Sequence, residues 1–568
     1  MRTKSYWRQF QRERISRRHL LGMTGVGAAA LAAAAACGGG EGGPAPRETP
    51  AAGETPAAGT PKHGGALKYT NSAAWGTIDP LTSAGAAPIF LFARMYNVLL
   101  ARSIRKPDFF FMDLAEQFEQ PDEETYIFTI RSGVMIAPND LGIPERNLDA
   151  LDAVRWMERI DQDANALQHG LTEDWIDSFD APDAATFNIK TNGPYGYLLF
   201  RLGPPFGGTM PPREFFERGI SLEDKSVGAG PFAVRSGSYR EDGFIVLDRN
   251  PNYYRKGANG EPLPYLDSIE YTLMPDRQAQ RTAFISRQIM GYSAETREDM
   301  EDVRRQVPDV VVDEEPFETY ISFVMRVDVP PWNDDRIRRA ANLALNRQEF
   351  VDRIVGPEGG KVNGLVHWPL GDFALPPEEL EQLQPYDPQR ARELIREATG
   401  EDTIKIKVMY PATTIWFHDK HLAIWLQQMK AAGFEIQEDP VDFSTWLQRY
   451  ERKDYEANFA LNQIWDMPET VLDFQSSDPQ GDGKFITGVG KLYPEIDRAI
   501  DDSKRVTDPE EQVEAVREVQ RLIYSKDPAF LPIMSWITYR LRHGSLKGVT
   551  SGLGNAGMYL TSEWWLDL

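Results

Sequence analysis

The chain of 568 residues carries 62 basic and 85 acidic side chains, which gives a formal net charge of −23. A surface this acidic repels phosphate backbones and anionic lipid headgroups, so we exclude nucleic acid as a partner. The single cysteine, Cys37, excludes an internal disulfide. The length suggests roughly three domains or lobes, and the hydrophobic content of 41% is ample for their cores.

The N-terminal segment has the pattern of an export signal. Residues 1–18 carry seven basic side chains against one glutamate, and residues 20–36 carry no charge. Within "SRRHLL", Arg17 and Arg18 are similar to the pair of a twin-arginine export motif. A transmembrane helix is the alternative, but the apolar stretch only reaches the lower limit of about 17–25 residues for a span.

Cys37 lies between an alanine run and a glycine run. This position is similar to that of the lipidated cysteine in bacterial lipoproteins, although Ala34 stands where leucine is usual. The alternative is an ordinary buried thiol. We therefore interpret residues 1–37 as an export signal with a lipobox-like cysteine. Residues 38–62, which lack aromatic and β-branched aliphatic side chains, are predicted to be a disordered linker.

From residue 63 onward, strand and helix patterns alternate. Alternating apolar residues predict strands at Thr125–Ile130, Ser268–Met274 and Ile404–Tyr410. Asp387 is predicted to cap a helix that ends at Gly400. Asp508 is predicted to cap a second helix, in which Glu511 completes a capping box. Strands that alternate with capped helices indicate an α/β protein.

The stretch "NDDRIRRAANLALNRQEF" predicts two consecutive helices. Asn333 is predicted to cap the first helix, with Asp334 and Asp335 at the positive end of its dipole. Asn346 and Glu349 are predicted to form a capping box for the second helix. These signals describe local structure and point to no ligand.

Six stretches resemble, in their order along the chain, the extracytoplasmic solute-binding proteins of ABC importers that form solute-binding family 5. Four of them are residues 64–80, 113–136, 226–257 and 330–356. The other two are "YDPQRARELIREA" and "TDPEEQVEAVREVQRLIYSKDPAFLPI". Together they span nearly all of residues 64–540, and the ordered series carries the resemblance.

The resemblance implies a fold like that of type II periplasmic binding proteins, with two lobes that enclose a ligand when they close. One lobe would have an extra subdomain, and hinge strands would cross between the lobes. The implied boundaries are residues 63–104, 221–326 and 531–568 for lobe I, 105–220 for its extra subdomain, and 327–530 for lobe II.

Two charged residues are candidates for reading the ends of a peptide. Arg326 stands where the family commonly has asparagine beside the crossing strand, and its planar fork suits a carboxylate. Asp466 stands, with compressed spacing, near the acid that receives a peptide's ammonium group in the family. The structural alternatives are a surface arginine or interlobe ion pair, and a loop-capping aspartate. The residues expected to border the same cleft are Trp465, Trp75, Asn71 and Ser72.

Other chemistry has little support in the sequence. His418 and His421 have an i, i+3 spacing that could hold a metal, but neither a cysteine nor a clear third ligand accompanies them. We expect a solvated helix face there instead. No glycine-rich phosphate loop, glycine-flanked nucleophilic serine or His-Glu-x-x-His motif occurs. We therefore predict no catalytic residue, no bound metal and no cofactor.

The sequence thus predicts a membrane-tethered solute-binding subunit of an ABC importer, and not an enzyme. It would capture a short peptide and deliver it to the permease subunits. We expect a monomer outside the cytoplasm, either in the periplasm or held at the outer face of the cell membrane by a lipid anchor on Cys37. The alternatives are a secreted lipoprotein hydrolase, or the same fold with a sugar, an opine or a nickel complex as its ligand.

Overall fold

The structure is a computed structural model that describes residues 59–72, 75, 77–83, 86–103, 110–203, 209–240, 242–412, 419–463, 467–477, 487–552 and 554–568. Five candidate residues lie outside these ranges, namely Arg17, Arg18, Cys37, Trp465 and Asp466. What the sequence predicts for these five residues, and for the export signal, therefore stays a prediction.

The strands follow the alternating apolar patterns. They are β1 (Ala66–Asn71), β2 (Leu100–Arg102), β3 (Phe110–Met112), β4 (Ala115–Glu119), β5 (Thr125–Ile130), β6 (Ile176–Asp180), β7 (Thr186–Thr191), β8 (Phe232–Val234), β9 (Ile245–Arg249), β10 (Ser268–Leu273), β11 (Gly291–Ala294), β12 (Val310–Met325), β13 (Gly360–Val362), β14 (Ile404–Pro411), β15 (Phe434–Val441), β16 (Ala457–Gln463), β17 (Phe530–His543), β18 (Leu546–Lys547) and β19 (Trp565–Leu566). All three predicted strands are present, with their ends within one residue of the prediction.

The helices separate these strands. They are α1 (Ala86–Met95), α2 (Ala150–Gln162), α3 (His169–Asp174), α4 (Leu198–Arg201), α5 (Glu214–Glu217), α6 (Arg277–Ile285), α7 (Arg297–Gln306), α8 (Asp335–Leu343), α9 (Arg347–Ile354), α10 (Pro377–Leu383), α11 (Pro388–Thr399), α12 (Asp419–Ala431), α13 (Phe443–Glu451), α14 (Pro468–Asp473), α15 (Val489–Leu492), α16 (Pro494–Arg505) and α17 (Pro509–Ser525), with 3₁₀ helices at Trp368–Phe373 and Gly554–Glu563. In the described part of the chain, no helix is both long and apolar enough to cross a membrane.

The caps of α11 and α17 confirm two predictions. Asp387 accepts a hydrogen bond from the backbone N–H of Arg390 at 2.8 Å, and Gly400 ends α11 in the left-handed conformation, with φ of 81°. Asp508 caps α17 by accepting the backbone N–H groups of Glu510 and Glu511 at 3.0 and 3.1 Å, but in the described structure the Glu511 side chain returns no hydrogen bond to Asp508, so the predicted capping box is only half formed. Proline follows each capping aspartate. The N–H of the first helical residue has no partner within a helix, so its absence in proline costs no hydrogen bond.

The helices α8 and α9 are the two predicted consecutive helices, with one corrected cap. Asn333 is wrong as the first cap, because Asp334 supplies the carboxylate that accepts a first-turn N–H at 2.9 Å. Asn346 caps α9 by accepting the N–H of Glu349 at 3.2 Å. The N–H of Asn346 donates to Oε1 of Gln428 at 3.0 Å, so a distant glutamine takes the place of the second half of the capping box.

Three sheets of four or more strands form in the described ranges. The first has the order β1-β10-β9-β8, with β1 parallel to β10. The second, β4-β5-β7-β6, is antiparallel. The third has seven strands in the order β11-β17-β12-β16-β14-β15, with β13 added on β17. Helices cover these sheets, as the α/β prediction requires.

Each sheet has its own hydrophobic core. Core 1, around β12, β14 and β16, holds the buried Trp332 and Trp425. Core 2 packs β4–β7 against α2 and holds the buried Trp156. Core 3 packs β1, β9 and β10 against α1 and holds the buried Tyr96. Phe200, at the edge of core 2, also packs against core 1, so these two cores meet there.

Two long strands, β12 and β17, cross the molecule. The first half of β12 pairs with Ile537–His543, next to α6 and α7. The second half pairs with Phe530–Ser535 and with β16, inside core 1. The register of the β12–β17 pair breaks between Pro316 and Tyr320. The crossing strand therefore passes from one set of packing partners to the other at this break.

Candidate functional site

A cavity of about 490 Å³ lies between core 2 and core 1. Its size falls within the range of about 300–1,000 Å³ that is usual for pockets that bind small ligands. From core 2 its lining includes Tyr126, Leu199 and Phe200. From the side of core 1 its lining includes Leu370, Phe373 and Arg517. The four described candidates do not line this cavity, so the sequence prediction missed it.

Arg326 lies just after β12, and its guanidinium is hydrogen-bonded to other groups of the protein. Nε and Nη2 donate to the two oxygens of Asp328 at 3.0 and 2.7 Å, and Nη1 donates to the carbonyl of Lys453. The hydrogen bond with Asp328 raises the pKa of Arg326 and lowers that of Asp328. A ligand carboxylate would have to displace Asp328 from this fork.

The other described candidates lie at the carboxyl end of β1. Trp75 is 4% exposed and packs edge-on against Tyr271, with ring centroids 5.4 Å apart. Asn71 ends β1, and its carbonyl accepts the N–H of Met274 at 2.7 Å. Asn71 and Ser72 are half-buried. Trp75 is thus part of core 3, whereas Asn71 and Ser72 keep exposed surface at the strand end where the sequence analysis places the cleft.

A buried charged cluster joins core 2 to core 1. Nε of Arg201 donates to Oε1 of Glu469 at 2.6 Å, and the hydroxyl of Tyr195 donates to the same carboxylate at 3.1 Å. Nζ of Lys504 lies 2.7 Å from Oδ1 of Asp473. The sequence places Glu469 in the same stretch as Trp465 and Asp466, but it gives no sign of the partner of Glu469, which is 268 residues away. No local pattern could have revealed the pair.

The pKa values in this cluster are set mainly by burial. Burial raises the pKa of Asp473, and burial raises that of Asp174, beside a small cavity against the cluster, to about 6. Burial alone would lower the pKa of Lys504, but the carboxylates of Asp473 and Glu469 outweigh it and the pKa is raised. Burial, followed by Glu469, raises the pKa of Tyr195 well above its usual value. Tyr195 is therefore a neutral donor to a charged pair.

The histidine pair gives no metal site in the described residues. His418 lies outside them, and His421 is fully buried with its ring 5.9 Å from that of Trp536. The predicted solvated helix face is wrong for His421, because α12 is also covered on the side facing β17. No group of three or more metal-ligating side chains occurs within the described ranges.

Comparisons with known proteins identify the class. The sequence model of the family described as bacterial extracellular solute-binding proteins, family 5, matches residues 110–482 in its middle region. The chain belongs to this family. It is a solute-binding protein of an ABC importer, which acts outside the cytoplasm, and the match favours this prediction over the hydrolase alternative.

Individual relatives are distant but cover most of the chain. The glutathione-binding protein GsiB of Salmonella paratyphi A is 22% identical over 448 residues, which are 74% of this chain and 80% of that protein. The dipeptide-binding protein of Pseudoalteromonas sp. SM9913, solved with Met-Leu, has a TM-score of 0.74 and 17% identity, and covers 86% of this chain and 97% of that one. MoaA of A. tumefaciens R10, solved with mannopinic acid, has a TM-score of 0.72 and 20% identity, and covers 89% of this chain and 99% of that one. These structures confirm the two-lobed type II fold.

Proposed function

We propose that this chain captures a short peptide by closing its two lobes over it, and delivers the peptide to the permease of an ABC importer. The family match carries the proposal. The solutes of similar proteins, glutathione and Met-Leu, support a peptide. The mannopinic acid held by MoaA makes an opine the second candidate.

We propose Arg326 and Asp466 as the readers of the two peptide ends. A free peptide carries a carboxylate and an ammonium group, and enclosing either without a partner is costly. Asp466 would accept the ammonium group. The peptide carboxylate would take the place of Asp328 on Arg326, because the Asp328 side chain is 47% exposed and can turn to water. Border contacts would come from Trp465, Trp75, Asn71 and Ser72.

Titration calorimetry with Met-Leu and with its C-terminal amide tests whether Arg326 and Asp466 bind the two charged ends of a peptide. Arg326→Gln and Asp466→Asn should each weaken Met-Leu binding by about 2–5 kcal/mol, because one charged end would be enclosed without a partner. The amide lacks the carboxylate, so Arg326→Gln should change its binding little.

Arg336→Gln is the matched control. Arg336 forks Asp334 at 3.0 and 2.6 Å, much as Arg326 forks its own aspartate two residues away. Binding of Met-Leu by both reader variants within a factor of about two of the parent would reject the charge readers and favour a neutral solute. A parent that binds neither Met-Leu nor glutathione would reject the peptide proposal itself.

We also propose that a lipid on Cys37 tethers the protein after export by the twin-arginine route through Arg17 and Arg18. The residue pattern of the N-terminal segment supports this proposal. Cys37→Ser should move the protein from the membrane fraction to the soluble fraction, as measured by sedimentation and immunoblotting after a salt wash. A serine variant that still sediments with membranes would reject the tether.

A further inference from the structure

The cavity of about 490 Å³ between core 2 and core 1 has no part in the proposed peptide site. Of the residues proposed for the peptide, the described ones are Asn71, Ser72, Trp75 and Arg326, and none of them lines the cavity. Its walls come from core 2, from the 3₁₀ helix Trp368–Phe373 and from the first half of α17. Because a cavity of this size can hold a small organic molecule, the groups that face it indicate which chemistry it would accept.

Aromatic rings make up much of the apolar wall. Tyr126 and Tyr195 come from core 2, and Phe200 packs against both cores. Phe373 comes from the 3₁₀ helix on the side of core 1. Aromatic side chains bind other aromatic rings by stacked or edge-on contact, in addition to the gain from burying apolar surface. These walls therefore favour a ligand with an aromatic body.

Arg517 lines the same cavity and has no partner in the protein. It lies two turns into α17, on the helix face that also carries Val513 and Glu514. Its Nε atom is buried and makes no hydrogen bond, and its guanidinium forms no ion pair with any residue that the structure describes. The planar fork of an arginine matches a carboxylate, so this side chain is suited to bind one.

The acids near Arg517 are paired with another arginine. Nε of Arg521 donates to Oε1 of Glu379 at 2.6 Å, and Nη1 of Arg521 donates to Oε1 of Glu514 at 2.6 Å. The other two acids that line the described part of the cavity, Asp372 and Glu510, are exposed to water. Their negative charges would repel a ligand with two or more carboxylates, so the arrangement favours a single one.

We propose that this cavity binds an aromatic monocarboxylate. The aromatic body would lie among Tyr126, Phe200 and Phe373, and the carboxylate would accept hydrogen bonds from Arg517. The ligand would satisfy the buried Nε of Arg517 and would touch both core 2 and core 1. This site is separate from the proposed peptide site, so the proposal does not depend on the capture of a peptide.

Titration calorimetry with 1-naphthylacetate and with its neutral amide, 1-naphthylacetamide, tests the site. The parent should bind one molecule of 1-naphthylacetate per chain, and it should bind the amide about tenfold more weakly or worse, because the amide forms no charge-assisted pair. Arg517→Gln should weaken the binding of 1-naphthylacetate by about tenfold or more and change that of the amide by less than about twofold.

Val513→Trp tests the location of the bound molecule. Val513 is half-buried and lines the cavity, so an indole at this position can extend into the space that the ligand would fill. Binding of both the acid and the amide should be lost. The far-UV circular dichroism spectrum and the melting temperature should stay close to those of the parent, because the added ring enters a cavity and not a packed core.

Arg304→Gln is the matched control. Arg304 lies on the helix α7, is exposed and, like Arg517, forms no ion pair with the described residues, but it does not line the cavity. Its variant should bind both molecules as the parent does. Absence of saturable binding of 1-naphthylacetate to the parent, or unchanged binding in Arg517→Gln or in a folded Val513→Trp, would overturn the proposal. Complete displacement of 1-naphthylacetate by saturating Met-Leu would also overturn it, because the two ligands would then share the peptide site.

Discussion

Replacing Trp425 by alanine is expected to lower the free energy of unfolding by about 3–5 kcal/mol. Trp425 is 0% exposed in core 1, and its ring centroid lies 4.9 Å from that of Phe323 and 4.8 Å from that of Phe459. Its indole nitrogen has no hydrogen-bond partner among the described residues, so the loss is one of packing. The cavity left behind would sit between two strands and α12, which cannot collapse into it without breaking the sheet.

Urea denaturation followed by far-UV circular dichroism measures this loss. Tyr386→Ala is the control, because Tyr386 is 46% exposed and its removal should cost less than about 1 kcal/mol. A midpoint for Trp425→Ala within error of that of the Tyr386 variant would show that core 1 does not carry the stability assigned to it.

Lowering the pH to 4 is expected to reduce the free energy of unfolding by about 3 kcal/mol, because His367 is protonated in the unfolded chain but not in the folded chain. His367 is fully buried against Tyr320, with ring centroids 3.6 Å apart. Burial lowers its pKa to about 3, although its contact with the carbonyl of Gly364 opposes this. The imidazole of His367 takes up a proton near pH 6.5 in the unfolded chain but not in the folded chain. The contribution of the neutral imidazole to the free energy of unfolding is therefore complete above pH 6.5 and falls as the pH drops toward 3.

The variant His367→Gln isolates this effect. The glutamine does not titrate, so between pH 7 and pH 4 its unfolding free energy should fall by about 3 kcal/mol less than that of the parent. The carboxylates contribute equally to both proteins and cancel in the difference. Parallel curves of unfolding free energy against pH would mean that His367 is hydrated or charged in the folded protein.

Local signals made much of the fold predictable. The Asp387 cap and the strand Thr125–Ile130 depend on a few neighbouring residues, and the structure confirms them. The prediction failed where neighbours compete or distant residues intervene. Asn333 lost the cap to the adjacent Asp334, and Gln428 supplies the other half of the capping box of Asn346 from 82 residues away.

The contacts of the candidate site also divide into those between near neighbours in the sequence and those between distant residues. The partner of Arg326 is a near neighbour in the sequence, because the turn closed by the hydrogen bond from the N–H of Val329 to the carbonyl of Arg326 holds Asp328 at i+2. The partner of Glu469 could not be predicted from the sequence, since only the packing of core 2 on core 1 brings Arg201 to it. The fold class depends on repeated local patterns, whereas the polar contacts between lobes depend on their final placement.

The break in the β12–β17 register limits how the lobes can move. Between Pro316 and Tyr320, three residues of β12 face one residue of β17, and the register shifts a second time between Ile321 and Ser322. A twist of the two strands about this region breaks no hydrogen bond between them, whereas sliding β12 along β17 would break many. We therefore expect any rotation of one lobe against the other to centre on this short stretch of the two strands.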